Sequence, residues 1–181
     1  MIKFFATLAL AATAMIATPA AAQTTTFDGP RLGVLVGTTG DDTPFDDAEF
    51  TYGGSVGYDF AVSNAFLLGV EADIAKVSID TDGFDVDNRQ LSAAVRGTFP
   101  VSSRAAIFVS GGYTNLEFSE DNVSLDFDGY RLGGGAEFAI SSRAYASLEY
   151  RHSTYDLGEA AGVDLGSEGV SSALLGLGMR F

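Results

Sequence analysis

From residue 30 onward the hydrophobic positions fall on every second residue. Phe66, Leu68, Val70, Ala72 and Ile74 alternate with Leu67, Gly69, Glu71, Asp73 and Ala75. Leu91, Ala93, Val95, Gly97 and Phe99 interleave with Gln90, Ser92, Ala94, Arg96 and Thr98, and Tyr130, Leu132, Gly134, Ala136 and Phe138 with Gly129, Arg131, Gly133, Gly135 and Glu137. Alternation over about ten residues belongs to strands, whose side chains point to opposite faces in turn. The pattern predicts eight strands, near residues 30–39, 50–62, 65–78, 88–100, 104–117, 126–140, 143–156 and 168–181.

The strands come in pairs with a fixed beat. Val62-Ser63-Asn64-Ala65, Val101-Ser102-Ser103-Arg104-Ala105 and Ile140-Ser141-Ser142-Arg143-Ala144 recur every 39 residues. Counting back one more interval from Val62 reaches Gln23. The chain after Gln23 thus divides into four hairpin units joined by three tight polar turns. An even number of antiparallel strands can close into a barrel and so remove its edges.

The two faces differ in a way that decides what the barrel stands in. The apolar faces carry no charge at mid-strand, and Lys76 lies at the loop end of its strand, where it can reach an interface. The opposite faces carry Arg31, Asp59, Glu71, Asp73, Arg96, Arg131, Glu137, Glu149, Arg151 and Arg180, with glycine at 33, 37, 53, 57, 69, 133, 135, 176 and 178 between them. A water-facing surface would favour long polar side chains over glycine. A narrow interior needs small residues and charges that neutralise one another, because an unpaired buried charge costs several kcal/mol. A Lys or Arg on a lipid face would cost roughly 2–4 kcal/mol at the midplane. The sequence avoids both costs, which predicts a transmembrane barrel; a soluble periplasmic barrel, polar outside and apolar within, is the alternative.

Aromatic residues follow the same logic. Phe60, Phe66, Phe99, Phe138 and Phe181 fall on the apolar faces near the short turns or the C-terminus, and Tyr52, Tyr113, Tyr130 and Tyr150 on the same faces towards the long loops. Two such girdles are expected at the two interfaces of an outer-membrane barrel. Phe108 falls on the inward phase, which calls for a bulge or a filled interior. The longer connections hold Asp41, Asp42, Asp46, Asp47 and Glu49, then Asp80, Asp82, Asp85 and Asp87, then Glu120 and Asp121, and finally Glu159, Asp164 and Glu168. With long loops outside, most of the negative charge faces the exterior.

Composition narrows the function. The 181 residues include 22 Gly, no Cys and no Trp, and carry a net charge of −14. The acidic balance is unsuited to nucleic acid, whose phosphates need a basic stripe. Without Cys, disulfides, thiol chemistry and Cys-based zinc sites are excluded. Met1-Ile2-Lys3, the apolar run from Phe4 to Ile16, Thr18-Pro19 and Ala20-Ala21-Ala22 have the layout of a secretory signal peptide, expected to end before Gln23. The run is too short to span a bilayer as a helix. Two domains are expected: residues 1–22 as leader and 23–181 as barrel.

Over Gln23–Phe181 the sequence resembles the small eight-stranded outer-membrane barrels of OmpA-like and opacity-protein type. The resemblance rests on Gly29-Pro30-Arg31-Leu32-Gly33-Val34-Leu35-Val36-Gly37 as first strand, on Glu149-Tyr150-Arg151-His152 in the seventh, and on Gly176-Leu177-Gly178-Met179-Arg180-Phe181 at the end. It implies that Gly176, Met179 and Phe181 form the signal read by the barrel-assembly machinery, with Leu174 where that signal usually has a polar residue. It also implies outer-membrane lipid and lipopolysaccharide as surroundings. The peptidoglycan-binding domain of full-length OmpA relatives is not expected.

Some barrels of this kind are lipid A deacylases, which resemble serine hydrolases with His, Ser and Glu on one outer face. Here His152 is the only His, adjacent Ser153 points to the other side of the sheet, and Thr154 stands where that pattern has Ser. The stretch Asp80-Thr81-Asp82-Gly83-Phe84-Asp85-Val86-Asp87 has Gly at its fourth position and Leu91 at its twelfth, unlike an EF-hand loop; it reads as a solvated acidic loop. Gly133-Gly134-Gly135 lacks the helix and Lys-Ser/Thr of a phosphate loop and suits close packing. No catalytic, cofactor or metal site is expected. Glu71, Asp73, Arg96, Arg131, Glu137, Glu149 and Arg151 could instead plug the interior or line an ion path, and since eight strands leave an interior just wide enough for side chains, a plug is expected. The expected function is a non-enzymatic structural and surface-interaction barrel whose acidic loops could meet a surface ligand; a narrow pore and a lipid-modifying enzyme are the alternatives.

Overall fold

The computed structural model describes residues 26–41, 43–45, 48–78, 87–120, 123–160, 163–164 and 166–181; the leader and half of the acidic loop residues lie outside them. The strands are β1 (Gly29–Gly40), β2 (Glu49–Ser63), β3 (Phe66–Ser78), β4 (Asp87–Pro100), β5 (Ala105–Glu120), β6 (Val123–Ala139), β7 (Ala144–Asp156), β8 (Glu159–Ala160), β9 (Val163–Asp164) and β10 (Ser167–Arg180). Seven of them and β10 close a barrel in the order β1-β10-β7-β6-β5-β4-β3-β2, all antiparallel, while β8 and β9 form a separate two-stranded hairpin in the fourth loop. The chain is therefore an all-β, eight-stranded up-and-down barrel sealed where β1 meets β10, with Leu32 opposite Met179 and Val34 opposite Leu177.

The repeated turns owe their beat to a serine. Ser102 Oγ accepts the amides of Arg104 (3.2 Å) and Ala105 (3.0 Å), and Ser141 Oγ accepts those of Arg143 (3.2 Å) and Ala144 (3.0 Å). In the first turn Ser63 Oγ takes the amide of Ala65 at 3.3 Å, next to a register shift between Ala61 and Ser63. A short side chain that satisfies turn amides locally explains why Ser sits second in each motif.

Two expectations need correction. The pattern leaves 119–125 as the third long connection, but β5 runs to Glu120 and β6 begins at Val123. There Leu116 and Phe118, and Leu125 and Phe127, still alternate with polar residues, but on the phase opposite to the outward Tyr113 and Tyr130. Glu49, Asp87, Glu120, Glu159, Asp164 and Glu168 likewise belong to strands rather than to loops. Asp42, Asp46, Asp47, Asp80, Asp82, Asp85 and Asp121 fall outside the described residues.

Glycine is needed where strands press together. A Cβ at Gly112 would lie 2.0 Å from the Ala93 carbonyl oxygen and 2.5 Å from Ala94 Cα. Both are backbone atoms, so no rotamer change can relieve the clash. Gly112→Ala is expected to cost about 1–3 kcal/mol, as overpacking does, read as a lower urea midpoint for the barrel refolded in lipid vesicles.

Candidate functional site

The outer wall is greasy and the interior charged. Leu132 is 62% exposed, Phe138 52% and Leu148 56%, whereas Arg131 is 1% exposed and Glu149 5%. This is the reverse of a soluble barrel. Phe60, Phe99, Phe138 and Phe181 are exposed towards the turn end, and Tyr52, Tyr113, Tyr130 and Tyr150 towards the loop end. Phe66 is half-buried, its ring 5.1 Å from that of Phe99.

All ten charged residues of the inward phase are buried, and they form one connected network. Glu71 accepts from Arg31 Nη2 at 2.6 Å and from Arg131 Nη2 at 2.7 Å. Arg31 Nε donates to Asp59 at 3.1 Å, and the same Asp59 oxygen receives Arg180 Nη1 at 2.9 Å. Arg180 Nη2 reaches Glu137 at 2.9 Å, Glu137 receives Arg96 Nη2 at 2.7 Å, and Arg96 Nη1 lies 3.8 Å from Glu71. These contacts close a ring of alternating sign: Glu71, Arg31, Asp59, Arg180, Glu137, Arg96. From Glu71 a branch continues through Arg131, which donates to Asp73, to Arg151 3.3 Å from Asp73, and on to Glu149, which Arg151 grips with Nε (2.7 Å) and Nη2 (3.0 Å). The Arg151–Glu149 pair is two residues apart on β7, the spacing that places both on one face of a strand.

Every barrel strand except β5 supplies a member of this network. β5 contributes Phe108, which is 2% exposed, with the Arg96 guanidinium 3.6 Å above its ring centroid. The register of β5 with β4 and β6 runs without a shift, so a filled interior, not a bulge, accounts for the inward Phe108. Gly135 makes room for it: a Cβ there would meet the Phe108 ring at 2.9 Å and the Leu148 carbonyl oxygen at 2.1 Å. A Cβ at Gly133 would lie 3.0 Å from Ser110 Oγ and one at Gly134 3.2 Å from the Phe108 carbonyl oxygen, so the run 133–135 sits at close strand contacts.

Above the charges lies an uncharged polar layer. Gln90 Nε2 donates to Tyr155 Oη at 2.5 Å and to Thr114 Oγ1 at 3.2 Å, and Ser92 and Thr114 hydroxyls lie 3.1 Å apart. Below the charges, at the turn end, Phe27 is 2% exposed and packs with Leu67, Ala106 and Ala61, while Arg180 Nη1 donates to the Phe27 carbonyl at 2.5 Å. Phe27 has no strand phase in the sequence; its one signal is a lone aromatic in the polar run Thr24-Thr25-Thr26-Phe27-Asp28. Leu35, Tyr145 and Tyr155 are further apolar or aromatic residues buried on the inward phase, and Leu174 joins them in filling the interior.

Gly176 and Arg180 face inward on β10, while Met179 and Phe181 are exposed outside. His152 is exposed, Ser153 is buried on the other face, and Thr154 shares the His152 face. His152 does meet a serine, from the next strand: Ser171 Oγ lies 3.0 Å from Nδ1 and receives the Tyr150 hydroxyl at 3.1 Å. Ser171 is fully buried, which leaves its hydroxyl a satisfied polar group on the outer wall. Among the described residues no group of three or more His, Asp or Glu side chains could hold a metal ion, and no helix is long and apolar enough to cross a membrane.

No curated protein sequence matches the chain. Among solved structures it is similar to Ail, the attachment invasion locus protein of Yersinia pestis, with 15% identity, a TM-score of 0.57 and coverage of 85% of this chain and 97% of that one. Ail has also been crystallised with the heparin analogue sucrose octasulfate. The N-terminal barrel domain of Pseudomonas aeruginosa OprF is 16% identical, with a TM-score of 0.53 over 85% of this chain and 99% of that one. The outer membrane enzyme PagL is 17% identical, with a TM-score of 0.52 over 83% and 99%. At such identities these likenesses establish the fold alone. Residues 8–181 match the family described as outer membrane protein beta-barrel domain, and the chain belongs to that family.

Proposed function

We propose that the protein is a non-enzymatic, integral barrel of the bacterial outer membrane. In this reading lipid burial anchors it, the interior ion lattice stiffens and plugs it, and its acidic loops are presented at the cell surface. The observation that carries the proposal is the closed ring of six alternating charges inside an apolar wall. Eight strands leave space only for side chains, and here that space holds five Arg, five carboxylates and Phe108. Residues 1–22 act as the leader that delivers the chain across the inner membrane, and Gly176, Met179 and Phe181 act in assembly.

The acidic exterior also limits what the loops can meet. A sulfated polyanion of the kind bound by Ail would be repelled by a chain of net charge −14, so a neutral or cationic surface is the better ligand class. Protease added to intact cells is expected to cut only between the barrel strands at the loop end, within 41–48, 79–86, 121–122 and 157–166. The purified barrel is expected to show no stepwise conductance in planar bilayers. Cuts confined to 63–65, 102–104 or 141–143 would invert the orientation. Conductance steps that change when Arg131 or Glu137 is neutralised would make the protein a narrow pore.

A further inference from the structure

The chain has ten Lys and Arg residues, and their positions are not scattered. Lys3 lies in the leader; Arg31, Arg96, Arg131, Arg151 and Arg180 are sealed in the interior; Arg104 and Arg143 are exposed in the short turns. The remaining two, Lys76 and Arg89, stand side by side. The β3–β4 register ends with Ala75 opposite Gln90, and one step further come Lys76 and Arg89. The strands stay together there, because Asn88 Oδ1 accepts the Val77 amide at 2.8 Å. Ala75 and Asn88 are buried on the inward phase, so Lys76 and Arg89 face outward.

Their height on the wall is equally defined. Two residues lower on the same strands and the same face are Ile74, 44% exposed, and Leu91. Across from Lys76 on β2 is Tyr52, a member of the loop-end tyrosine girdle, and across from Arg89 on β5 is Glu117. The two cations thus occupy the first step above the apolar belt and point sideways, towards lipid headgroups rather than up into the loops. Arg89 Nη2 is paired with Glu117, yet its side chain remains 46% exposed, and a guanidinium has five donors in all.

We infer that Lys76 and Arg89 form a binding site for the phosphate of an outer-leaflet lipid, whose acyl chains lie along Ile74 and Leu91. The inference deepens the outer-membrane reading and rests on it. The occupant is a lipid and not free phosphate, because the pair sits directly on hydrocarbon-facing side chains at a tyrosine-marked interface. In an otherwise acidic molecule, this seam offers the outward cations that phosphorylated headgroups can pair with. Each Lys or Arg near an anionic lipid surface contributes enough that losing both is expected to weaken retention roughly 30-fold, and losing one about 5-fold.

Native mass spectrometry of the barrel released from detergent, after incubation with bisphosphorylated lipid A, with the same lipid stripped of phosphate, or with inorganic phosphate, reads the site. The wild-type barrel is expected to retain the bisphosphorylated lipid preferentially. The preference should disappear in K76Q/R89Q, weaken in each single variant and persist in R104Q/R143Q, whose changes lie at the opposite end. Millimolar inorganic phosphate should not displace the lipid. The inference is overturned if the wild type shows no preference, if K76Q/R89Q keeps it, if R104Q/R143Q loses it equally, or if inorganic phosphate competes. Heat-modifiable gel mobility checks that each variant is folded, and the single variants carry the test if the double does not fold. Failure of the outer-membrane reading would show differently, as a wild-type chain that does not insert into lipid vesicles.

Discussion

Glu71→Ala is expected to destabilise the barrel by about 3–5 kcal/mol, the usual result of removing one partner from a buried ionic group. Glu71 is the junction of the interior: it accepts from Arg31 and Arg131 and lies 3.8 Å from Arg96. Its loss opens the ring, takes one carboxylate contact from each of Arg31, Arg131 and Arg96, and leaves five Arg against four carboxylates in the interior. Urea titration of the protein refolded in lipid vesicles measures the cost. A double variant, Glu71→Gln with Arg131→Gln, should cost clearly less than the sum of the two single changes, because groups sharing one network couple. Additive costs would mean that the lattice is incidental to stability.

The second large effect lies on the other side of the wall. Leu148 faces outward, opposite Ala136 on β6 and Leu175 on β10, well inside the apolar belt. Leu148→Arg should cost roughly 2–4 kcal/mol, and the same change at Thr154, near the rim on the same face, roughly 0–1 kcal/mol. The depth dependence is the informative quantity. A barrel standing in water would tolerate arginine equally at both positions, so equal urea midpoints would overturn the membrane reading.

Much of this arrangement was legible in the sequence because a strand period of two leaves a residue only two directions to face. Once Leu132 is assigned to the outside, Arg131 and Glu137 must be inside. Glycine at 133 and 135 marks where neighbouring strands press close, whereas Gly112, pressed as tightly, carries no such signal. Parity names the lipid side only while the apolar phase is constant; at the ends of β5 and β6 the apolar residues Leu116, Phe118, Leu125 and Phe127 change to the other phase, and the two-residue strands of the fourth-loop hairpin are too short to show a period. It is also silent on which inward residue meets which. Arg180 and Glu137, or Arg96 and Phe108, are neighbours only because the closed cylinder brings their strands face to face across its width. Phe27 was hidden for a different reason: it precedes the first strand and has no phase from which to read a direction.

Arg180 has a consequence for how the cylinder closes. Arg180 touches Asp59 on β2, Glu137 on β6 and the carbonyl of Phe27 ahead of β1, so groups from the start, middle and end of the polypeptide converge on one guanidinium. Without that guanidinium the oily exterior would persist while surplus anions collected at the centre. Sealing of the cylinder, where β10 meets β1, is thereby tied to neutrality within it.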